Sequence, residues 1–280
     1  MPHWPKADLN LRCYPDVPAN VSMPWDAADE FLINEAAQPV SLILNDRYGA
    51  LSCAFPEAQI WHDSFCAQVA TQQNRSENGL SEAEFLSHPD LSDAFAHVKS
   101  DGENSTVLIR IPKQKEQLAE QLHYLSRVSP DATVLLAGMA KHIPIPLLNW
   151  LEEHAGYYEQ LPVVRKARLI KIRGLAGFRD LLPSTRSYEI NGFSLSAPAG
   201  VFCGDRPDPG ARAMLKHLPS NQTGIICDLG CGNGILSVHL ASNNPEATII
   251  GTDDSQLATL AARENLRANS LKGDIRQGNI

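Results

Sequence analysis

Apolar positions along the last third of the chain switch between two periods. The runs TGIICDL (223–229) and EATIIGTD (246–253) carry the β-branched residues and bounding polar residues of strands. Each is followed by a stretch with helical spacing, GILSVHLASNN and SQLATLAARENLRAN. That order predicts β-α-β-α with short connections, a parallel sheet covered by helices. The closing DIRQGNI reads as the start of a third strand. Further upstream, STVLIRI, DATVLLAG and KARLIKIR read as strands and KEQLAEQLHYLSRV as a helix, extending a first unit to about residue 174. The glycine-, proline- and serine-rich stretch 175–197 reads as a linker and lead-in to a second unit at 198–280.

The two units can be laid on each other. Gly49-Ala50-Leu51-Ser52 falls on Gly234-Ile235-Leu236-Ser237. After a short gap Ser64, Ala67, Ala70, Asn74, Asn78 and Leu80 fall on Ser255, Ala258, Ala261, Asn265, Asn269 and Leu271. Agreement over this span argues for an internal duplication. The expected class is α/β, with two Rossmann-like domains, the second truncated after about its third strand.

Composition narrows the class of protein without naming a function. With 43% apolar and 20% charged residues the chain reads as an ordinary globular protein. No segment approaches the roughly 18 apolar residues of a membrane span, and the first residues do not have the form of a secretion signal, so a cytoplasmic protein is expected. The six cysteines, Cys203 among them, contain no C-x-x-C pair, and the nine histidines are scattered, so no metal is expected. A net charge of −8 argues against indiscriminate coating of nucleic acid. It leaves room for a local basic surface, and Arg165, Lys166, Arg168, Lys171 and Arg173 are the candidate: five basic residues in nine positions with no acid, able to neutralise phosphates. A strand with charges on its solvated face is the competing reading.

The densest chemistry lies at DLGCGNG. Gly230, Gly232 and Gly234 alternate and Ile235 stands at the sixth position, which departs from the dinucleotide fingerprint G-x-G-x-x-G. With Asp228 two residues ahead, the spacing D-x-G-x-G-x-G is that of class I S-adenosylmethionine (SAM) methyltransferases. Glycines let the backbone approach a ligand, and the start of the next helix offers N–H groups to a carboxylate. The loop residues Cys231 and Asn233 belong to the same candidate set. Asp228 is suited to hold the ligand's ammonium. Asp253, nineteen residues after Gly234, stands where such sites bind ribose hydroxyls, with Asp254 as its competitor. Asn279 would line an adenine pocket, or be an ordinary strand-end asparagine. In the first unit Asp228, Gly230, Gly232 and Asp253 are replaced by Ile43, Asn45, Arg47 and His62. Arg47 is expected to fill the ligand's space, making this a degenerate copy.

Together, GVFCGDRPDPGARAMLKHLP, CDLGCGNGILSVHLASNNPEATIIGTDDS and a degenerate first copy carrying LIRIPK and KARLI resemble the bacterial ribosomal RNA guanine-N2 methyltransferases. The large-subunit enzymes are the better match and the small-subunit enzymes the second. The resemblance covers nearly the whole chain. It implies duplicated methyltransferase domains, SAM as donor, a guanine exocyclic amine of ribosomal RNA as acceptor, and a first domain that helps bind RNA. In that family an N-P-P-F/Y loop after the fourth strand grips the amine. No such tetrapeptide occurs here; Arg110-Ile111-Pro112-Lys113 follows the corresponding strand of the first copy. The 280 residues are therefore expected to be a fragment that binds SAM poorly or not at all and does not catalyse. A non-catalytic RNA-binding or assembly protein and a small-molecule or protein methyltransferase remain alternatives.

Overall fold

The computed structural model describes residues 3–4, 7–17, 22–86, 105–182, 185–202 and 205–279. The chain divides into two compact units, Met1–His62 with Cys66–Leu182, and Asp63–Phe65 with Pro183–Ile280.

The first unit opens with a small antiparallel pair, β1 (His3–Trp4) and β2 (Leu9–Asn10). Helix α1 (Ala27–Glu35) follows, started by a capping box in which Asp26 accepts from the backbone of Ala28 and Asp29 while Asp29 accepts from Asp26. The main sheet runs β4 (Gln59–Trp61), β3 (Val40–Leu44), β5 (Thr106–Arg110), β6 (Thr133–Met139), β8 (Ala167–Arg173), β7 (Tyr157–Gln160). The first four are parallel, and β8 and β7 are antiparallel to their neighbours. Residues 84–86 add a rudimentary parallel edge beside β4, with Ile60 N–H on Glu84 O and Leu86 N–H on Ile60 O. Helices α2 (Ala50–Ala54), α3 (Phe65–Glu77), α4 (Lys115–Val128) and α5 (Ile145–His154) complete the unit. Consecutive residues 42–44, 107–109 and 134–137 are all buried, so both faces of this sheet are covered.

In the second unit, β9 (Arg186–Ile190) and β10 (Phe193–Ala197) form a hairpin, followed by α6 (Pro209–Leu215). The remaining elements are β11 (Gly224–Leu229), α7 (Ile235–Asn243), β12 (Ala247–Asp253), α8 (Gln256–Ala268) and β13 (Asp274–Gln277). The three strands pair in the order β11-β12-β13, all parallel. Val238, Leu240, Ala262 and Leu266 from the helices pack with Ile249 and Ile275 on one face. On the other, Ile225 and Leu229 are each 68% exposed.

The periodicity locates β11, α7, β12 and α8 to within a residue or two. The stretch 175–197 is not a featureless connection. Leu175 and Phe178 are buried in the first unit, whereas 186–197 is the hairpin whose Leu195 enters the second unit's core. Its polar alternation is that of a strand pair buried on one side only. Five cysteines are free thiols, and Cys203 lies outside the described residues, as does Ile280. Among the described residues no cluster of three metal-ligating side chains occurs, and no helix is long and apolar enough to cross a membrane.

Candidate cofactor site

The carboxyl ends of β11, β12 and β13 bring most of the candidate residues together. Gly230 and Cys231 donate their backbone N–H groups to Thr252 O at 2.8 and 2.9 Å, tying the loop to the end of β12. Gly230, Gly232 and Gly234 have φ of 72°, 55° and 82°, a region that side chains other than glycine adopt at a cost. A Cβ at Gly232 would meet nothing within 4 Å, so this part of the backbone faces open space. A Cβ at Gly234 would lie 2.9 Å from Ala262 Cα, so that glycine serves the contact with α8 instead.

Asp253 closes the loop from below. Its carboxylate accepts from Gly232 N at 2.9 Å and from Ser255 N at 2.9 Å. The carbonyl of Asp254 accepts from Gln277 Nε2 at 3.0 Å. Gly278 N donates to Asp253 O at 3.0 Å, which sets the exposed Asn279 beside the end of β12. Asp228 is buried, and Ser237 Oγ donates to it at 2.6 Å. Burial holds its carboxyl above the usual range, opposed by the hydrogen bonds from Ser237. Asp228 therefore caps the start of α7 and stands behind the loop.

Two loop residues face inward. The Cys231 thiol is buried and pushed up to about 12 by burial and by Asp228 and Asp253, so it is a packed, unreactive group. Asn233 is buried, donating Nδ2 to Tyr188 Oη at 3.1 Å and accepting on its carbonyl from Asn265 Nδ2 at 2.8 Å. Sequence reasoning misses Ser237, Tyr188 and Asn265. The Asn265–Asn269 spacing, repeated at Asn74–Asn78, is the signal in the chain that points to Asn265.

The same place in the first unit is built differently. Asn45 takes the left-handed conformation of Gly230, with φ 65°, and Gly49 that of Gly234, with φ 78°. Arg47 is exposed, with its guanidinium 4.9 Å from the Tyr48 ring centre, and it lines the cleft without closing it. Arg110, at the end of β5, occupies the site from the other side. Its guanidinium bonds both Asp26 oxygens at 2.7 and 2.8 Å and Asp29 at 2.8 Å. A cavity of about 350 Å³ remains, lined by Trp25, Asp29, Asp46, Tyr48 and Arg110. Burial pushes Asp29 up to about 7 and raises Asp46 as well. This acidic, internally paired cleft is a poor match for the carboxylate end of an amino acid.

The five basic residues do not form one surface. Arg165 and Lys166, with φ of 49° and 67°, make the tight two-residue turn into β8, and Arg165 is ion-paired with Glu30. Arg168 bonds Gln160 Oε1 at 3.2 Å. Lys171 has the opposite parity and so lies on the other face of the sheet. With Arg173, which sits over the Tyr157 ring, it lines a separate cavity of about 420 Å³ with Glu35 and Thr106.

Residues 2–175 match the family model of the RLMG N-terminal domain, and residues 192–280 that of the methyltransferase small domain. Ribosomal RNA large subunit methyltransferase G of Pseudomonas syringae pv. syringae (strain B728a) is 36% identical over 97% of the chain and 75% of its own length. The protein of that name from Klebsiella pneumoniae (strain 342) is 33% identical over 96% and 73%. The chain belongs to the ribosomal RNA large subunit methyltransferase G family. A solved T. thermophilus 16S rRNA N2 methyltransferase, in complex with AdoMet and guanosine, superposes with a TM-score of 0.70 at 20% identity, covering 98% of this chain and 73% of that one. The fold is thus an α/β methyltransferase fold with a mixed central sheet, and the cofactor is SAM. The glycine loop of this chain fits that ligand: open backbone at Gly232, a carboxylate at Asp253 and a helix start at Ile235.

The acidic cleft of the first unit makes a pH prediction. A carboxyl that keeps its proton to about 7 when folded and loses it near 4 when unfolded favours folding fully below pH 4. That advantage is lost as the pH rises from 4 to 7. All four tryptophans, Trp4, Trp25, Trp61 and Trp150, lie in the first unit, so their fluorescence reports on it. In urea unfolding followed this way, Asp29→Asn is expected to flatten the decline in stability between pH 4 and 7, by up to about 1.4 kcal/mol per pH unit. Identical slopes in the two proteins would contradict the assignment.

Proposed function

We propose that the reaction this chain serves is methylation of the exocyclic N2 of a guanine in large-subunit ribosomal RNA. The second unit holds SAM, and the first is a degenerate copy of it that contacts RNA. The observation that carries the cofactor half is Asp253 bonded to Gly232 at the mouth of an open glycine loop. The guanine-N2 half is supported by the N2 chemistry and the guanosine named for the T. thermophilus neighbour, and the large subunit by the names of the relatives.

The duplication is supported by matching hydrogen bonds. In the second unit Asn265 brackets Ser196, accepting from its N–H at 2.9 Å and donating to its carbonyl at 2.8 Å. Asn269 brackets Ser194 in the same way at 3.2 and 2.8 Å. In the first unit Asn74 brackets Arg12 at 2.9 Å both ways, and Asn78 brackets Asn10 at 2.9 and 2.8 Å. Asn74 also donates to Tyr48 O as Asn265 does to Asn233 O, each at 2.8 Å. The sheet orders agree: the rudimentary edge at 84–86, β4 and β3 stand in the order of β13, β12 and β11.

When bound, SAM supplies a methyl group on a positively charged sulfur. The protein's part is to hold the acceptor in line, because the lone pair of guanine N2 is delocalised into the ring; such positioning contributes on the order of 7 to 11 kcal/mol. Asp253 would take the ribose hydroxyls and Asn279 the adenine edge. Gly232 and the first turn of α7 would take the carboxylate end. Asp228, engaged with Ser237, would act on the ammonium through its remaining lone pairs. A base in structured RNA has to be splayed out to reach the methyl. The loop expected to grip it, N-P-P-F/Y, is not in this sequence.

Tritiated SAM and unmodified large-subunit RNA test the acceptor half. The 280-residue chain is expected to transfer no methyl group, and transfer would refute the need for that loop.

For RNA contact, the turn end of β8 is favoured over its far end, because Ala140 N–H bonds Lys166 O and sets the turn beside the carboxyl end of β6. The combined change of Arg165, Lys166 and Arg168 to Ala is expected to weaken RNA binding and to lower the salt slope by about one for each phosphate no longer neutralised. Changing Lys171 and Arg173 to Ala is expected to do neither. The reverse result would move the RNA surface to the other end of the strand.

A further inference from the structure

We infer that Asn265 is a positioning residue for the cofactor loop and that it couples this loop to the β9–β10 hairpin. The inference rests on reading the glycine loop as the SAM site. Asn265 is 2% exposed, and its amide is fully used. The oxygen accepts from the N–H of Ser196 at 2.9 Å and from its Oγ at 3.2 Å, and the nitrogen donates to Ser196 O and Asn233 O at 2.8 Å each.

The loop needs such a hold. Three of its residues are left-handed glycines, the residue type with the most backbone freedom to lose. Its other anchors lie on the β12 side: Gly230 and Cys231 on Thr252 O, and Gly232 on Asp253. From the α8 side, the Asn265 amide fixes the carbonyl of Asn233 and so the plane of the peptide that joins Asn233 to Gly234. Turning that peptide would pull the N–H of Gly234 off Cys231 O, which it bonds at 2.8 Å, and tilt the first turn of α7, assigned above to the ligand's carboxylate. The side chain of Asn233 is held by Tyr188 of the hairpin, so residue 233 is gripped at both ends through the same hairpin.

Chemistry separates the two duties of Asn265. An aspartate has the same shape and keeps the acceptor side, but it has no N–H to give. Its second oxygen would then face two carbonyl oxygens at 2.8 Å. Asn265→Asp therefore releases the loop carbonyl and Ser196 O while keeping the two bonds that Ser196 gives to its oxygen; Asn269→Asp controls for the loss on the hairpin. Asn269 grips only the hairpin and its own helix, at Ser194 and Asn265 O, and does not reach the loop. Asn74 holds the equivalent loop of the first unit, which lacks the glycine cradle. These two positions are the controls.

The experiment compares the full chain with Asn265→Asp, Asn269→Asp, Asn74→Asp and Tyr188→Phe at a temperature well below every melting point. Amide hydrogen exchange is read at residues 230–234, and SAM affinity by equilibrium binding. Asn265→Asp is expected to speed exchange at the loop and to weaken SAM about tenfold, the size expected for the removal of one buried hydrogen bond. Tyr188→Phe should weaken SAM about threefold, as a smaller hydrogen-bond effect. Asn269→Asp and Asn74→Asp should lower the melting temperature and leave both loop readouts unchanged. Should Asn265→Asp not fold, Tyr188→Phe decides, and unchanged affinity in it overturns the inference. Unchanged exchange or affinity in folded Asn265→Asp overturns it as well, and so does an equal effect from Asn269→Asp. If the unsubstituted chain does not bind SAM, the cofactor assignment falls, and the exchange comparison then decides the clamp on its own.

Discussion

Each unit turns on a glycine pressed against the helix that follows the second strand. At Gly49 an added Cβ would lie 2.6 Å from Thr71 Cα, and at Gly234 it would lie 2.9 Å from Ala262 Cα, with φ of 78° and 82°. A side chain there meets backbone that cannot move aside, and the left-handed conformation adds its own cost. The close approach brings α3 and α8 near enough for a short asparagine side chain to reach both the loop and the preceding strand pair. Loop geometry, hairpin attachment and the start of the next helix all follow from it.

Once this frame is set, the chemistry of the loop can change without loss of fold. The second unit keeps glycine at 230 and 232 and an acid at 253. The proposed first copy has Asn45, Arg47 and His62 at the aligned positions, and Arg110 is ion-paired there between Asp26 and Asp29. The acceptor that caps the following helix has also moved, from Asp228 at the strand end to Asp46 in the loop, which accepts from Ser52 N at 2.9 Å. The buried carboxyls of the first cleft accompany this substitution, costly alone and tolerated beside Arg110.

How much of this is legible in the sequence depends on the range of the interaction. The elements β11, α7, β12 and α8 can be read because their burial is periodic, and the glycine loop because its chemistry is local. The asparagine pairs are visible as a repeated spacing, but their partners are 62 to 75 residues away, and no local pattern announces them. The hairpin at 186–197 reads as linker because its apolar positions are few and bounded by glycine and proline. The motif position of Arg47 suggests that it alone blocks the first cleft, whereas it lines that cleft beside Tyr48 and the ion-paired arginine comes from another strand. The five basic residues look like one patch in one dimension. A turn at one end and alternation along β8 divide them.

The central claim is that one chain carries two copies of a site and that only the second keeps its ligand. An NMR titration of the isotopically labelled chain with SAM addresses it directly. The account predicts shifts at the amides of Gly230, Gly232, Gly234, Asp253 and Ser255 with a single binding isotherm, abolished or weakened by Asp253→Ala. Residues 45–49 and His62 should stay in place, and His62→Ala should bind as the unsubstituted chain does. Saturable shifts at 45–49, or a stoichiometry of two, would contradict it.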